Sequence, residues 1–526
     1  MMLRRSRFDD RWALPALLIL AALLRLPNLA TRGTWDGDQG HDMLVLRTFV
    51  RDGIVPLLGP PTSIGDIHHG AWYYYLLGPA AALTGGDAPL AVVAVITLSG
   101  ILAVGVVWWL ARSIGGPIAG LVAGLVMATS AAAIDESTFI WNPNLIALSS
   151  AVALGAAWRA WSGHSGWWWV VAAIGTAVTM QCHILGIALL PIIAVPFLFD
   201  ARRRALGAVP LAILATFAIA YLPLVQNELA NGFSETRAAI DYIGIRDTSA
   251  ELPIPIRFGI VGLRVVSWPL TGLITDGFLA GALALLAVVL IVVWRWVAGR
   301  DASGARDGLA ARWYGVGLLW TAAFLTIAAP SLASVVRGLP NDHYHAFADP
   351  MVVVLIGIGA AALVREITAP VGPVVAAAGV VALVGWNAVH LPPAVHPDGG
   401  FPAAQRAATR IDAALTRAGV DADHAVLLKS LPDFKSTEAM VYPLARIGRA
   451  YHGEVPKGLA PGSWSGGTYG LVLLCDDLFR EANGAACGGT AEAAVTPDAG
   501  GERWGSLLER FEAAPGRWIS VYAAPT

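Results

Sequence analysis

The sequence predicts a polytopic α-helical membrane protein of about eleven transmembrane helices, followed by a small C-terminal extracytoplasmic α/β domain. Three observations predict it. The 526 residues are 56% hydrophobic and only 14% charged, whereas a soluble domain carries about 25% charged residues. The apolar residues fall in runs near the roughly 20 that a membrane helix needs. Arginines then occupy alternate connections between the runs, as positive-inside topology requires. A formal net charge of −2 gives no reason to expect a nucleic-acid partner.

The candidate spans are 12–30, 89–111, 117–134, 143–161, 166–182, 183–199, 205–225, 276–297, 312–330, 350–365 and 371–389. Arg4, Arg5, Arg7 and Arg11 precede the first. No small-residue cleavage site follows Leu29, so this run reads as a retained span rather than a signal peptide. Arg112, Arg159, Arg202 to Arg204, Arg295, Arg300, Arg306, Arg312 and Arg365 then share the cytoplasmic side. The parity holds if 71–86, aromatic and broken by Pro79 and Gly85-Gly86, stays at the interface. Gly120 and Gly124 form a small-xxx-small pair suited to close helix packing. The transmembrane domain is thus 1–390 and the second domain 391–526. In the latter, 403–418 reads as an amphipathic helix, 424–431 and 468–475 as strands with a helix at 435–449 between them, 505–513 as a helix and 517–523 as a last strand. The only lysines are Lys429, Lys435 and Lys457. Cys475 and Cys487 have a spacing open to a disulfide or to two free thiols; Cys182 reads as a core thiol.

With this topology the unusual polar residues gather on the outer side, which points to a cleft opening outward. The first outer loop holds Asp36, Asp38, His41, Asp42, Asp66, His68 and His69. Later outer segments hold Asp135, Glu136, Trp141, Asn142 and Asn144, then Gln181 and His183, then Glu228, Glu235, Arg237 and Asp241, and finally Arg337, Asp342, His343, Tyr344 and His345. Carboxylates beside a bilayer are costly and so are functional candidates. The plain alternatives are local: Asp38 capping a helix that starts after Gly40, Arg25 snorkelling to the interface, and the histidines serving as interfacial anchors. Walker, Rossmann, HExxH and GxSxG patterns are absent from the sequence.

Six pieces in this order resemble the GT-C glycosyltransferases, nearest to the bacterial relatives of protein O-mannosyltransferases and lipid A aminoarabinose transferases. They are Asp38-Gln39-Gly40-His41-Asp42, Pro56-Leu57-Leu58-Gly59-Pro60, His68-His69-Gly70-Ala71-Trp72-Tyr73-Tyr74-Tyr75, Ile140-Trp141-Asn142-Pro143-Asn144, Gln181-Cys182-His183 and Asp342-His343-Tyr344. The resemblance spans 12–390. Gln39 stands where the family usually has Glu, and His343 where it often has Arg.

The resemblance implies a membrane glycosyltransferase in a bacterial cell membrane, with its active site and C-terminal domain outside. It would move a sugar from a polyprenyl-phosphate donor to an acceptor hydroxyl on a glycan, lipid or protein, with inversion. Asp38 is then the expected base, with Asp36 and Asp42 beside it. Arg25, His41, His68, His69, Tyr73, Gln181, His183, Arg337, His343, Tyr344 and His345 are the expected donor-phosphate and substrate contacts. No cofactor is required; Asp36 and Asp38 could hold Mg²⁺ or Mn²⁺. Membrane lipids are the remaining partners. Rival classes are a transporter or lipid flippase, which would show internal repeats and mid-membrane charge, and a non-catalytic scaffold.

Overall fold

The computed structural model describes residues 11–62, 67–202, 206–244, 252–298, 305–335, 341–432, 435–452, 469–490, 492 and 505–523. Asp66 and Arg337 lie outside the described residues. The longer helices are α1 (Ala13–Arg25), α2 (Gly37–Asp52), α3 (Trp72–Ala82), α4 (Pro89–Gly115), α5 (Pro117–Thr129), α6 (Ile146–Trp161), α7 (Trp168–Cys182), α8 (Leu189–Phe199) and α9 (Val209–Ala230). They continue as α10 (Ser234–Gly244), α11 (Ile254–Thr271), α12 (Phe278–Ala298), α13 (Ala305–Ala328), α14 (Asp349–Glu366), α15 (Val371–Val389), α16 (Gly400–Arg417) and α17 (Glu438–Arg446).

Among the described residues, five helices are long and apolar enough to cross a membrane: α4, α9, α12, α15 and the Asp342–Glu366 segment that ends in α14. Apolar helices at Ala13–Arg25, Pro117–Thr129, Trp168–Cys182 and Ile184–Phe199 are shorter. Length and composition therefore do not by themselves carry the expected count of eleven. α3, over the 71–86 segment, has 11 residues and is too short to span. The expected outer loop 226–275 is instead largely helical, as α10 and α11. Arg257, Arg264, Pro255 and Pro269 break the hydropathy of α11, yet Val261, Arg264, Val265 and Leu270 are buried. At the arginine-rich end, Arg295 of α12 reaches Glu366 at 2.6 Å and Asp307 at 3.3 Å, and Arg365 also bonds Asp307. Gly120 and Gly124 do make close approaches: a Cβ on Gly124 would stand 2.5 Å from Leu17 of α1.

The C-terminal region builds one five-stranded sheet from β1 (Val426–Leu431), β2 (Tyr451–His452), β3 (Gly470–Asp476), β4 (Leu507–Ala514) and β5 (Arg517–Ala523), in the order β2-β1-β3-β5-β4. β1 runs parallel to β2 and β3; β5 runs antiparallel to β3 and β4. Of residues 505–513, expected as a helix, 507–513 belong to the strand β4. Leu-Leu-Glu-Arg-Phe-Glu fits both periods, and the Pro515-Gly516 turn, with Gly516 at φ 77°, folds β4 back on β5. Cys475 and Cys487 are joined as a disulfide, which decides the alternative that spacing left open. Cys182 is free and buried.

Candidate active site

Helix α2 begins at Gly37, earlier than the expected start after Gly40, and Asp36 rather than Asp38 is its cap. The backbone N–H of Asp36 donates to Gln39 Oε1 at 2.8 Å, closing a capping box. The other end of the Gln39 amide donates to the Ile140 carbonyl at 2.9 Å. An ionised glutamate could fill only the first role, so the residue that departs from the family pattern is here a two-sided brace.

With the helix starting at Gly37, Asp36 is an extended cap while Asp38 lies in the first helical turn, and their side chains leave on different sides. Asp36 faces the sheet, where Lys435 pairs with it and Arg517 approaches to 3.4 Å. Asp38 faces a cavity of about 570 Å³. The two carboxylates thus have different surroundings, Asp36 the basic pair Lys435 and Arg517, and Asp38 the cavity.

The cavity is walled by Asp38, His41, Asp42, His69, Trp141, Asn142, His183, Tyr242, Asn341, His343 and Tyr344, together with Ser436 and Glu438 from the C-terminal region. Asp38 is open to the cavity but enclosed by protein around it. That enclosure, then Asp36, raises its pKa against the opposing pull of His41, Lys435 and a hydrogen bond from Trp141. Asp42 is 1% exposed. Its two carboxylate oxygens accept from Tyr73 at 2.7 Å and Tyr74 at 2.9 Å.

His69, His183 and His343 form a chain of rings, with centroids 4.6 Å apart between the first two and 5.4 Å between the last two. Trp141 packs on His343 at 4.2 Å and Tyr344 on His183 at 5.2 Å. His69 Nδ1 accepts the Ile184 N–H, and His183 Nδ1 accepts the Leu185 N–H, both at 3.2 Å. Each ring thus carries its proton on Nε2, which leaves that nitrogen as a donor. Burial, then the neighbouring histidines His183 and His68, holds His69 well below the usual histidine pKa, so it is neutral.

Several expected contacts lie elsewhere. Arg25 is fully buried against the end of α5, donating to Ala128 O at 2.9 Å, Met127 O at 3.2 Å and Ser137 Oγ at 3.3 Å. The first two are helix-end carbonyls that would otherwise be unpaired. His68 turns away from the cavity to Glu235 of α10, with its Nδ1 at 3.0 Å and its backbone N–H at 2.8 Å from that carboxylate. Tyr73 serves Asp42. Gln181 braces the start of α3, accepting the Gly70 N–H at its backbone and the Trp72 N–H at its side chain. His345 lies behind the wall, 3.2 Å from Asp342, which Arg264 grips with two nitrogens at 2.9 and 2.6 Å. Arg264, Ser436 and Glu438 were not among the expected site residues. Nothing local marks the last two, because their place depends on how the C-terminal region docks.

No protein-family model matches the sequence, and no curated protein matches it. Its structure is similar to solved ones. The structure of ArnT from Cupriavidus metallidurans bound to undecaprenyl phosphate superposes with TM-score 0.59 at 13% identity, covering 98% of each chain. The apo form of that protein gives 0.58 at 14%, covering 97% of each chain. The oligosaccharyltransferase AglB from Archaeoglobus fulgidus, in complex with an inhibitory peptide and a dolichol-phosphate, gives 0.52 at 16%, covering 90% of this chain and 70% of its own. The chain has the fold of these solved structures, and five of its described helices are long and apolar enough to cross a membrane.

Proposed function

We propose that this chain is a glycosyltransferase that moves a sugar from a polyprenyl-phosphate donor to an acceptor hydroxyl at the outer face of a bacterial cell membrane, with inversion. The observation that carries the reading is Asp38 opening into the same cavity as the Nε2 donors of His69 and His183. The undecaprenyl phosphate of the similar ArnT and the dolichol-phosphate of AglB support the carrier class.

A hydroxyl is a weak nucleophile and needs a carboxylate within hydrogen-bond reach to take its proton. Asp38 has the chemistry for that step: its pKa is raised, so it is a stronger base than a solvated aspartate, and Trp141 orients it. The imidazole donors suit the phosphate oxygens of the leaving carrier. The arginine-rich ends of α12 and α14 belong to the cytoplasmic side and the cavity to the outer side. No step requires a metal.

The test is sugar transfer from polyprenyl-phosphate donors by purified wild type and Asp38→Asn, with glycan, lipid and peptide acceptors offered in turn. A fall of about 10²-fold or more in the folded variant is expected. Equal turnover in both proteins would overturn Asp38 as the base, and no wild-type turnover with any donor would overturn the reading.

A further inference from the structure

Gly37 and Gly40 lie on the face of α2 that meets residues 436–439. A Cβ on Gly40 would stand 2.0 Å from the Glu438 carbonyl oxygen, and one on Gly37 would stand 2.6 Å from Ser436 Cβ. The bare face lets the C-terminal segment lie on the helix and delivers Glu438 to His41. The two carboxylate oxygens stand 3.1 and 3.0 Å from His41 Nδ1. Ser436 Oγ donates to Glu438 at 3.0 Å and accepts the Glu438 N–H at 3.1 Å. His41 and Glu438 side chains are only 12% and 10% exposed, and both line the cavity.

A carboxylate accepts only, so Nδ1 of His41 carries a proton and the free function of the ring is Nε2. Of the four histidines lining the cavity, His41 alone is hydrogen-bonded to a carboxylate among the described residues. The described lining includes neither lysine nor arginine. A phosphate entering between Asp38, Asp42 and Glu438 needs a cation, and His41 is the ring best placed to be one.

We propose that Glu438, supplied by the C-terminal region, is the positioning residue for His41, and that His41 presents a cationic Nε2–H to a phosphate oxygen of the sugar donor. This rests on the function proposed above. As the anomeric C–O bond breaks, its electron pair stays on the phosphate, the acceptor oxygen bonds the sugar carbon, and the acceptor proton passes to Asp38. The phosphate gains one negative charge, and the His41 hydrogen bond strengthens with it. The groups facing His41 favour its charged form: Glu438 from α17, with Asp42 and Asp38 on its own helix. Burial opposes them, and the carboxylates prevail. Asp42 is itself held by Tyr73 and Tyr74 of α3, and Lys435 is taken by Asp36.

The test uses the full-length protein in detergent and undecaprenyl phosphate as the probe, with binding measured from pH 5.5 to 8.5. The titrations of the probe and of Asp42 are present in all variants, so the part of the pH dependence that His41→Gln removes reports on His41. Wild type is expected to lose affinity as pH rises through the His41 transition. Glu438→Gln is expected to move that transition down by about one pH unit and to weaken binding about tenfold at pH 7, with partial rescue by Glu438→Asp. His41→Gln is expected to remove the His41 transition and to leave only the titrations of the probe and of Asp42. Wild-type affinity and midpoint in Glu438→Gln would overturn the proposal while leaving the glycosyltransferase reading intact. Should that variant not fold, wild-type-like affinity and pH dependence in His41→Gln would overturn it equally. Absence of both wild-type binding and wild-type transfer would instead remove the reading on which it rests.

Discussion

Gly40 of α2 stands against the backbone of Glu438, so close that a Cβ would lie 2.0 Å from its carbonyl oxygen. Backbone cannot yield as a side-chain tip can. Gly40→Ala is therefore expected to lift residues 436–439 off the helix, lower stability by about 1–3 kcal/mol, and cut transfer through loss of the His41–Glu438 contact. Thermal unfolding and transfer assays on the same preparation check this. An unchanged midpoint and unchanged turnover would mean that the seam is looser than it looks.

Asp42 gives stability a pH dependence with a definite sign. Burial pushes its pKa up to about 7, although His41, Tyr73 and Tyr74 favour the charged form. In the unfolded chain it titrates near its ordinary value of about 3.9. A carboxyl raised on folding stabilises fully below the unfolded value, and that contribution is lost as pH rises through the folded one. The wild-type midpoint, relative to Asp42→Asn, should fall between about pH 4 and 7 and then level off. A difference that stays flat over this window would contradict a raised Asp42.

Gln39 is braced at both ends of its amide. Gln39→Glu keeps the acceptor for the Asp36 N–H but sets a second oxygen against the Ile140 carbonyl. A loss of about 1–3 kcal/mol is expected, measurable as a lower thermal midpoint. Gln39→Met, which keeps size without charge, should cost less; the reverse order would argue against the brace.

Arg25 separates a structural cation from a phosphate ligand. Arg25→Met leaves carbonyls at the end of α5 unpaired, at about 1–3 kcal/mol for each. The thermal midpoint should fall, while the folded fraction binds undecaprenyl phosphate within about twofold of wild type. A large loss of affinity without a loss of stability would restore Arg25 to the donor site.

The apolar helices, the cluster of carboxylates and histidines, and most C-terminal strands are legible in the sequence because hydropathy, charge placement and short alternation are local. What each polar residue faces is less so. His68 and His69 are neighbours, but extended backbone turns successive side chains to opposite faces. One meets Glu235 and the other His183. His343 and His345 are two apart in the 3₁₀ turn Asp342–Ala348, where each residue advances about 120°. One therefore lines the cavity and the other joins the Arg264–Asp342 pair behind it.

From the sequence alone come a chain rich in apolar helices with a polar site near the first of them, Asp38 as the carboxylate to test, and an α/β region after the last apolar helix. These follow from the cost of burying charge in lipid and from periods of two and 3.6 residues, which any short stretch reveals. Tertiary structure alone decided that Asp36 belongs to Lys435, Arg25 to α5, and Glu438 to His41. Each partnership but Arg25's joins residues some 400 positions apart, and even Arg25's joins residues about 100 apart. Such convergence is set by which faces pack together, and no local pattern records it.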